Sequence, residues 1–242
     1  MKPVYKCLLS LAIFFIFFPS TIFSDDIPFI KDKYVGIKSL SAGKTIRNCV
    51  IRVKYPRLIN LDDTKVKDWV IRKVNYSLKK NFLDVKRYDN PYECNRNAKK
   101  SDPSFHLEIN YEVKLNQGYM LSIYYFAVGY LSGAPHPENV NKGFTINLLT
   151  GEFLGYRDIF RPNSNFSSVL NKEIFEGLKE LAVIGSEEEY TEVQKKEYDF
   201  YFTKDAINII NLYEIYAMQS LEIQIPIKKL QKVLNNDKVL LL

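Results

Sequence analysis

Histidine is the side chain best suited to proton transfer near neutral pH, and this 242-residue chain has only His106 and His136. His106 stands between Phe105 and Leu107 in an alternating run, which sends its ring to the face opposite those apolar neighbours, toward solvent. His136 belongs to Gly133-Ala134-Pro135-His136-Pro137, a turn-prone loop where a side chain could be held out toward a ligand. The run Glu187-Glu188-Glu189 has the groups for metal or acid-base work, but three adjacent carboxylates also suit a solvated helix start. There is no nucleophile elbow, phosphate-binding glycine loop, paired-histidine zinc motif or four-cysteine set. From this inventory we expect a protein that is not an enzyme and that uses no cofactor or metal.

Of the three cysteines, Cys7 lies in an N-terminal stretch of leader character. Lys2 and Lys6 supply a basic start, residues 7–18 an apolar run, and residues 19–24 a breaker with a cleavage site after Ser24. The apolar run is shorter than the ~20 residues a spanning helix needs, so a cleaved signal peptide over 1–24 is expected. Cys7 opens that run and is not placed as a lipid-anchor residue. Cys49 and Cys94 then remain as a pair in an exported chain, and such a pair reads as a disulfide. A periplasmic or secreted location follows, and no later stretch approaches spanning length. The formal net charge is +6, and the two leader lysines take it to +4 in the mature part. Acids and bases alternate along the chain rather than gathering into a basic patch, so no nucleic-acid partner is expected.

Seventeen Tyr and 16 Phe against a single Trp point to half-buried pleated surfaces, hence a sheet. Residues 25–44 read as a lead-in with one short strand over 34–40. Val50, Ile51 and Val53 form a strand that Tyr55-Pro56 would end, because proline lacks the ladder donor. Asp62-Asp63-Thr64 then offers caps for a helix over 63–83, with Val66, Trp69, Val70, Val74, Leu78 and Phe82 at helical spacing. A polar loop over 84–103 carries Cys94. Phe105, Leu107, Ile109, Tyr111, Val113 and Leu115 alternate as a strand, and Asn116-Gln117-Gly118 turns into a second strand over 119–130. Phe144, Ile146 and Leu148 form a third. Leu170, Ile174, Leu178 and Leu181 share a helical face, 198–203 and 206–210 make a hairpin about Lys204-Asp205, and 221–225 is a last strand. Pro226 starts a short helix through Leu234. The expected fold is α+β: an antiparallel sheet of meander and hairpin strands packed with two to three helices, as one domain over 45–242.

Four segments in this order resemble a domain of unknown function of the PdaC/RsiV-like kind. It occurs as the extracellular part of the anti-sigma-V factor and in the N-terminal region of PdaC-type peptidoglycan deacetylases. The segments are Tyr55-Pro56 before a helix containing Asn75; the loop from Gly133 to Pro137; Phe144 to Leu148 with Thr150-Gly151 and Asp158-Ile159-Phe160; and Phe202-Thr203-Lys204-Asp205, Tyr213-Glu214-Ile215, Ala217 and Ile225-Pro226. The resemblance covers roughly 46–234. Here Pro135 interrupts the family's Gly-Ala-His loop, and no glycine stands near Gln219.

The anti-sigma member senses lysozyme by binding it, whereas the deacetylases keep their chemistry in a separate catalytic domain. The resemblance thus implies an envelope binding module for cell-wall glycan (peptidoglycan) or a wall-acting protein. The alternative is an inhibitor or immunity protein against a lysozyme-like or other envelope-attacking toxin. The residues expected to touch the partner are Tyr130, Gly133, Ala134, His136, Pro137 and Tyr213.

Overall fold

The computed structural model describes residues 35–46, 48–60, 66–84, 104–186, 189–190, 197–213 and 221–239. The expected leader, the loop holding Cys94 and most of the charged run from 187 to 196 lie outside them.

The architecture is α+β, with a six-stranded sheet, a three-stranded antiparallel sheet and three helices among the described residues. The large sheet runs in sequence order: β1 (Gly36–Ile46), β2 (Cys49–Ile59), β3 (Phe105–Gln117), β4 (Met120–Leu131), β5 (Glu138–Asn147) and β6 (Glu152–Leu154). All its pairings are antiparallel except β2 with β3. That pair is parallel, so the sheet is mixed. Its connection contains the helix α1 (Asp68–Leu83), which supplies the long crossover that parallel neighbours require. The small sheet comprises β7 (Asp199–Phe202), β8 (Ala206–Ile210) and β9 (Ile223–Pro226), and α2 (Phe166–Glu180) packs on it. A last helical turn, α3 (Ile227–Leu230), follows Pro226 and ends short of the expected Leu234.

Several elements depart from the sequence reading. From Gly36 the lead-in is a strand, β1, which runs on to Ile46 and pairs with β2 along its whole length. The helix α1 begins at Asp68 rather than 63, and the proposed caps 62–64 fall outside the described residues. The third strand starts at Glu138, six residues before Phe144, and Leu181 is the exposed C-cap of α2 instead of part of its buried face.

Pro56 does not end β2 either; the strand continues to Ile59. The reason lies two residues on. Leu58 gives both backbone groups to the Asn75 side chain on α1, with Leu58 N–H to Asn75 Oδ1 at 2.7 Å and Asn75 Nδ2 to Leu58 O at 2.8 Å. Leu58 therefore makes no ladder bonds with β1. In an antiparallel pair such positions recur every second residue, so Pro56 occupies a site where a missing N–H leaves no partner unmet. Asn75→Ala is expected to lower stability by about 2 kcal/mol, because it strips two partly buried backbone groups of their partner. Urea melts of the variant against wild type would check this, and a change under about 0.5 kcal/mol would contradict it.

Each face of the large sheet carries its own core. On the α1 side, Val70, Val74, Leu78 and Phe82 pack on Val53, Leu107, Ile109, Ile123, Tyr125 and Phe144. Phe82 meets Tyr125 edge to face at 4.9 Å. Cys49 is buried in this core and disulfide-bonded. The expected partner, Cys94, is among the residues not described.

The second core joins α2 and the small sheet to the opposite face, through Leu115, Met120, Ile174, Leu178, Phe200 and Phe202. Leu115 reaches it through a shift of register between Val113 and Leu115, after which Leu115 pairs with Ser122. This β-bulge turns Leu115 away from the face of Phe105 to Val113, so the alternation that looked strict changes side. Where the sheets cross, Gly143 lies under the Phe200 carbonyl, and the Phe202 N–H donates to the buried Ser122 hydroxyl at 2.9 Å.

Candidate binding face

The small sheet covers only part of the second face of the large sheet. Its limit is marked by Tyr201, which packs on Tyr124 at 5.4 Å, and by Lys114, whose ammonium lies 5.2 Å from the Tyr201 ring and 5.3 Å from the Tyr124 ring. Lys114 is the bulged residue and pairs with Glu112 at 2.6 Å. Tyr201 donates to Glu222 at 2.5 Å; burial and then this bond raise its hydroxyl pKa well above the ordinary value.

Beyond that limit, β4 presents Tyr124, Phe126, Val128 and Tyr130 in sequence, because alternate residues share a face. Tyr124 and Phe126 stack at 5.9 Å, while Val128 and Tyr130 are each 39% exposed. Across the β3 ladder these four face Glu112, Asn110, Glu108 and His106; on the β5 side Phe126 and Val128 face Asn141 and Asn139. The result is a rigid aromatic stripe bordered by carboxylates, amides and an imidazole. Such a surface can stack against a flat apolar face while hydrogen-bonding to hydroxyls or amides around it.

The loop from Gly133 to Pro137 closes this end of the sheet. Its turn needs Gly133 at φ 91°, a left-handed conformation open to glycine, and Ala134 N–H bonds back to Leu131 O at 2.9 Å. His136 is exposed, with Nδ1 3.1 Å from the Pro137 carbonyl oxygen. Tyr130 lies next to this loop, opposite His106. Tyr213, in contrast, is partly buried against the second core, with its pKa raised by burial and by Glu189. The structure thus brings Tyr130 and the loop together and assigns Tyr213 to a different environment. Sequence reasoning missed Phe126, Val128, Glu108 and Asn110. Their signal was only partial: polar residues alternate with the core positions of β3, but β4 carries apolar side chains on both faces.

A second concavity of about 480 Å³ lies between β5, β6 and β7, lined by Lys142, Phe153, Tyr198, Asp199 and Phe200 among others. Its charges have partners within the chain: Asp199 accepts from Asn211 at 2.9 Å, and the Lys142 ammonium sits 5.4 Å from the Phe144 ring centre. Among the described residues no three His, Cys, Asp or Glu side chains converge to hold a metal.

Behind the concavity is a group of tyrosines. Tyr190 and Tyr198 both donate to Asn171 Oδ1 at 3.2 Å, and Tyr156 packs on Tyr198. Burial, then the neighbouring Tyr198, pushes Tyr156 up to about 12, and burial with the Tyr198 bond raises Tyr190 as well. The folded state keeps these protons where an unfolded chain, titrating near 10, releases them. The stabilisation is therefore intact below pH 10 and declines as pH rises toward 12. Melting temperatures should fall over that interval, with phenolate absorbance rising together with unfolding; a flat profile would contradict the prediction.

No protein-family model matches the sequence, and no curated protein does. Solved structures do match. A member of the DUF3298 family from Bacteroides fragilis aligns with TM-score 0.58 and 17% identity, over 87% of this chain and 99% of that one. A DUF3298 family protein from Pseudomonas aeruginosa aligns with TM-score 0.59 and 10% identity, over 84% and 96%. The chain shares the fold of these DUF3298 structures. At such identities the agreement concerns backbone architecture, so the side chains of the open face are this chain's own evidence.

Proposed function

We propose that this chain is an exported, non-catalytic envelope binding module that recognises cell-wall glycan on the open face of its large sheet. The observation that carries this reading is the stripe Phe126, Val128 and Tyr130 flanked by Glu108, Asn110 and His106. A sugar ring offers an apolar face and a rim of hydroxyls, which such a surface complements. Because the residues stand on paired strands, little backbone freedom is lost on binding. The PdaC/RsiV-like resemblance supports the same reading, and domains of that kind are related to the DUF3298 family.

Glu108 favours a second reading, in which the partner is a basic wall-acting protein and the chain is its sensor, inhibitor or immunity protein. Co-sedimentation with purified peptidoglycan sacculi, compared with titration of a lysozyme, separates the two. Tyr130→Ala with Val128→Ser should weaken the genuine interaction at least tenfold while leaving the melting curve intact. Full affinity in that folded variant would exclude this face. Release of soluble fragments or acetate from sacculi by the purified chain would overturn the non-catalytic assignment.

A further inference from the structure

The outer surface of α1 has a composition that neither the fold nor the open sheet face explains. Trp69, the only tryptophan of the chain, was expected on the buried side of this helix, yet it is 47% exposed, and Tyr76 one face-repeat later is 72% exposed. Arg72, Lys73, Lys79 and Lys80 are exposed too. Positions 69, 72, 73, 76, 79 and 80 fall on one side of a helix, so the two aromatic rings occupy the middle of the surface with cations on both flanks. The helix's only acid, Asp68, stands at its first residue and accepts from Asn60 at 2.9 Å.

An apolar tip continues the surface on one side. Leu149 is 43% exposed in the turn between β5 and β6, which Lys73 ties to α1 through a 3.2 Å bond to the Thr150 carbonyl.

We propose that this face docks the protein peripherally on an anionic phospholipid membrane surface. Tryptophan and tyrosine favour the headgroup level, where an apolar ring body and a polar edge are both accommodated. Arginine and lysine beside them meet the negative surface potential. A soluble polyanion would be satisfied by the cations alone, whereas the exposed apolar groups Trp69 and Leu149 gain from an interface with a hydrocarbon side. The attachment is superficial: no described helix is long and apolar enough to cross a bilayer. Since α1 packs on the face of the large sheet opposite the aromatic stripe, docking through α1 turns the stripe away from the membrane.

The single tryptophan makes the test direct, because its emission reports on Trp69 alone. Residues 25–242 are suitable for it, as both described cores are built from Val35 onward. Vesicles of phosphatidylethanolamine with phosphatidylglycerol should shift the emission to the blue and carry the protein down on sedimentation, and vesicles of phosphatidylcholine should do neither. Lys79→Gln with Lys80→Gln should lower the partition coefficient roughly twentyfold, and added salt should do the same. Near-ultraviolet circular dichroism keeps a folding defect distinct from a binding defect, and Arg72→Gln provides a second charge variant should the pair fail to fold. Absence of vesicle binding at low salt overturns the proposal. So does equal binding to neutral vesicles, binding unaffected by the charge variants, or capture by soluble polyphosphate without vesicle binding. None of these outcomes bears on glycan binding by the opposite face.

Discussion

Replacing Gly143 with alanine is expected to destabilise the fold by about 3 kcal/mol or more, at the upper end of what an overpacked site costs. A β-carbon there would stand 1.7 Å from the Phe200 carbonyl oxygen and 2.4 Å from its carbon, and both are backbone atoms that no rotamer change can move. To make room, β7 must lift from β5. That movement strains the Phe202 N–H bond to Ser122, whose hydroxyl is fully buried and also lies 3.0 Å from Thr145 Oγ1. Gly129 on the adjacent strand is the control, since a β-carbon there would meet the Phe105 ring at an ordinary 3.5 Å. Urea denaturation of Gly143→Ala and Gly129→Ala checks the contrast, and similar midpoints for the two would refute the crossing as a tight constraint.

Opening the disulfide is the other large effect. Cys49 is bonded and buried, and its proposed pairing with Cys94 closes the long segment that contains α1 and the polar loop. Restricting an unfolded loop of that span contributes about 4 kcal/mol on the chain-entropy model. Cys94→Ala should therefore cost nearly as much as Cys49→Ala, and the double variant little more than either, because each removes the same bond. Non-reducing peptide mapping gives the direct observation. A stable Cys94→Ala protein, or two free thiols in carefully alkylated material, would reject the pairing.

Much of the fold was legible because it depends on local periodicity. Phe105, Leu107, Ile109 and Val113 declared one buried face of β3, and Leu170, Ile174 and Leu178 declared the buried side of α2. Lys204-Asp205 located the β7–β8 turn. The strand, helix and strand from Cys49 to Leu115 also contained the ingredients of a parallel pair, since a crossover helix is what joins such strands, although a wholly antiparallel sheet was expected. The loop beside Tyr130 was found from its glycine and prolines. The rest of the stripe was not, because apolar residues on both faces of β4 look alike until their covering elements are known.

What the sequence by itself determined is the set of amphipathic segments, the α+β class and the scarcity of histidine. Tertiary structure decided which apolar positions are covered. Trp69 and Val128 have the same hydrophobic character as their buried neighbours, yet they are exposed because no described element packs on them. Leu115 changed face through a bulge at Lys114, and Pro56 stayed in a strand because its register with β1 asks no N–H of it and the β3 pairing of β2 ends at Val53. Periodicity records how a segment divides its apolar and polar residues. Which face becomes a core and which stays open for a partner depends on contacts between segments far apart in the chain, and these have no local signature.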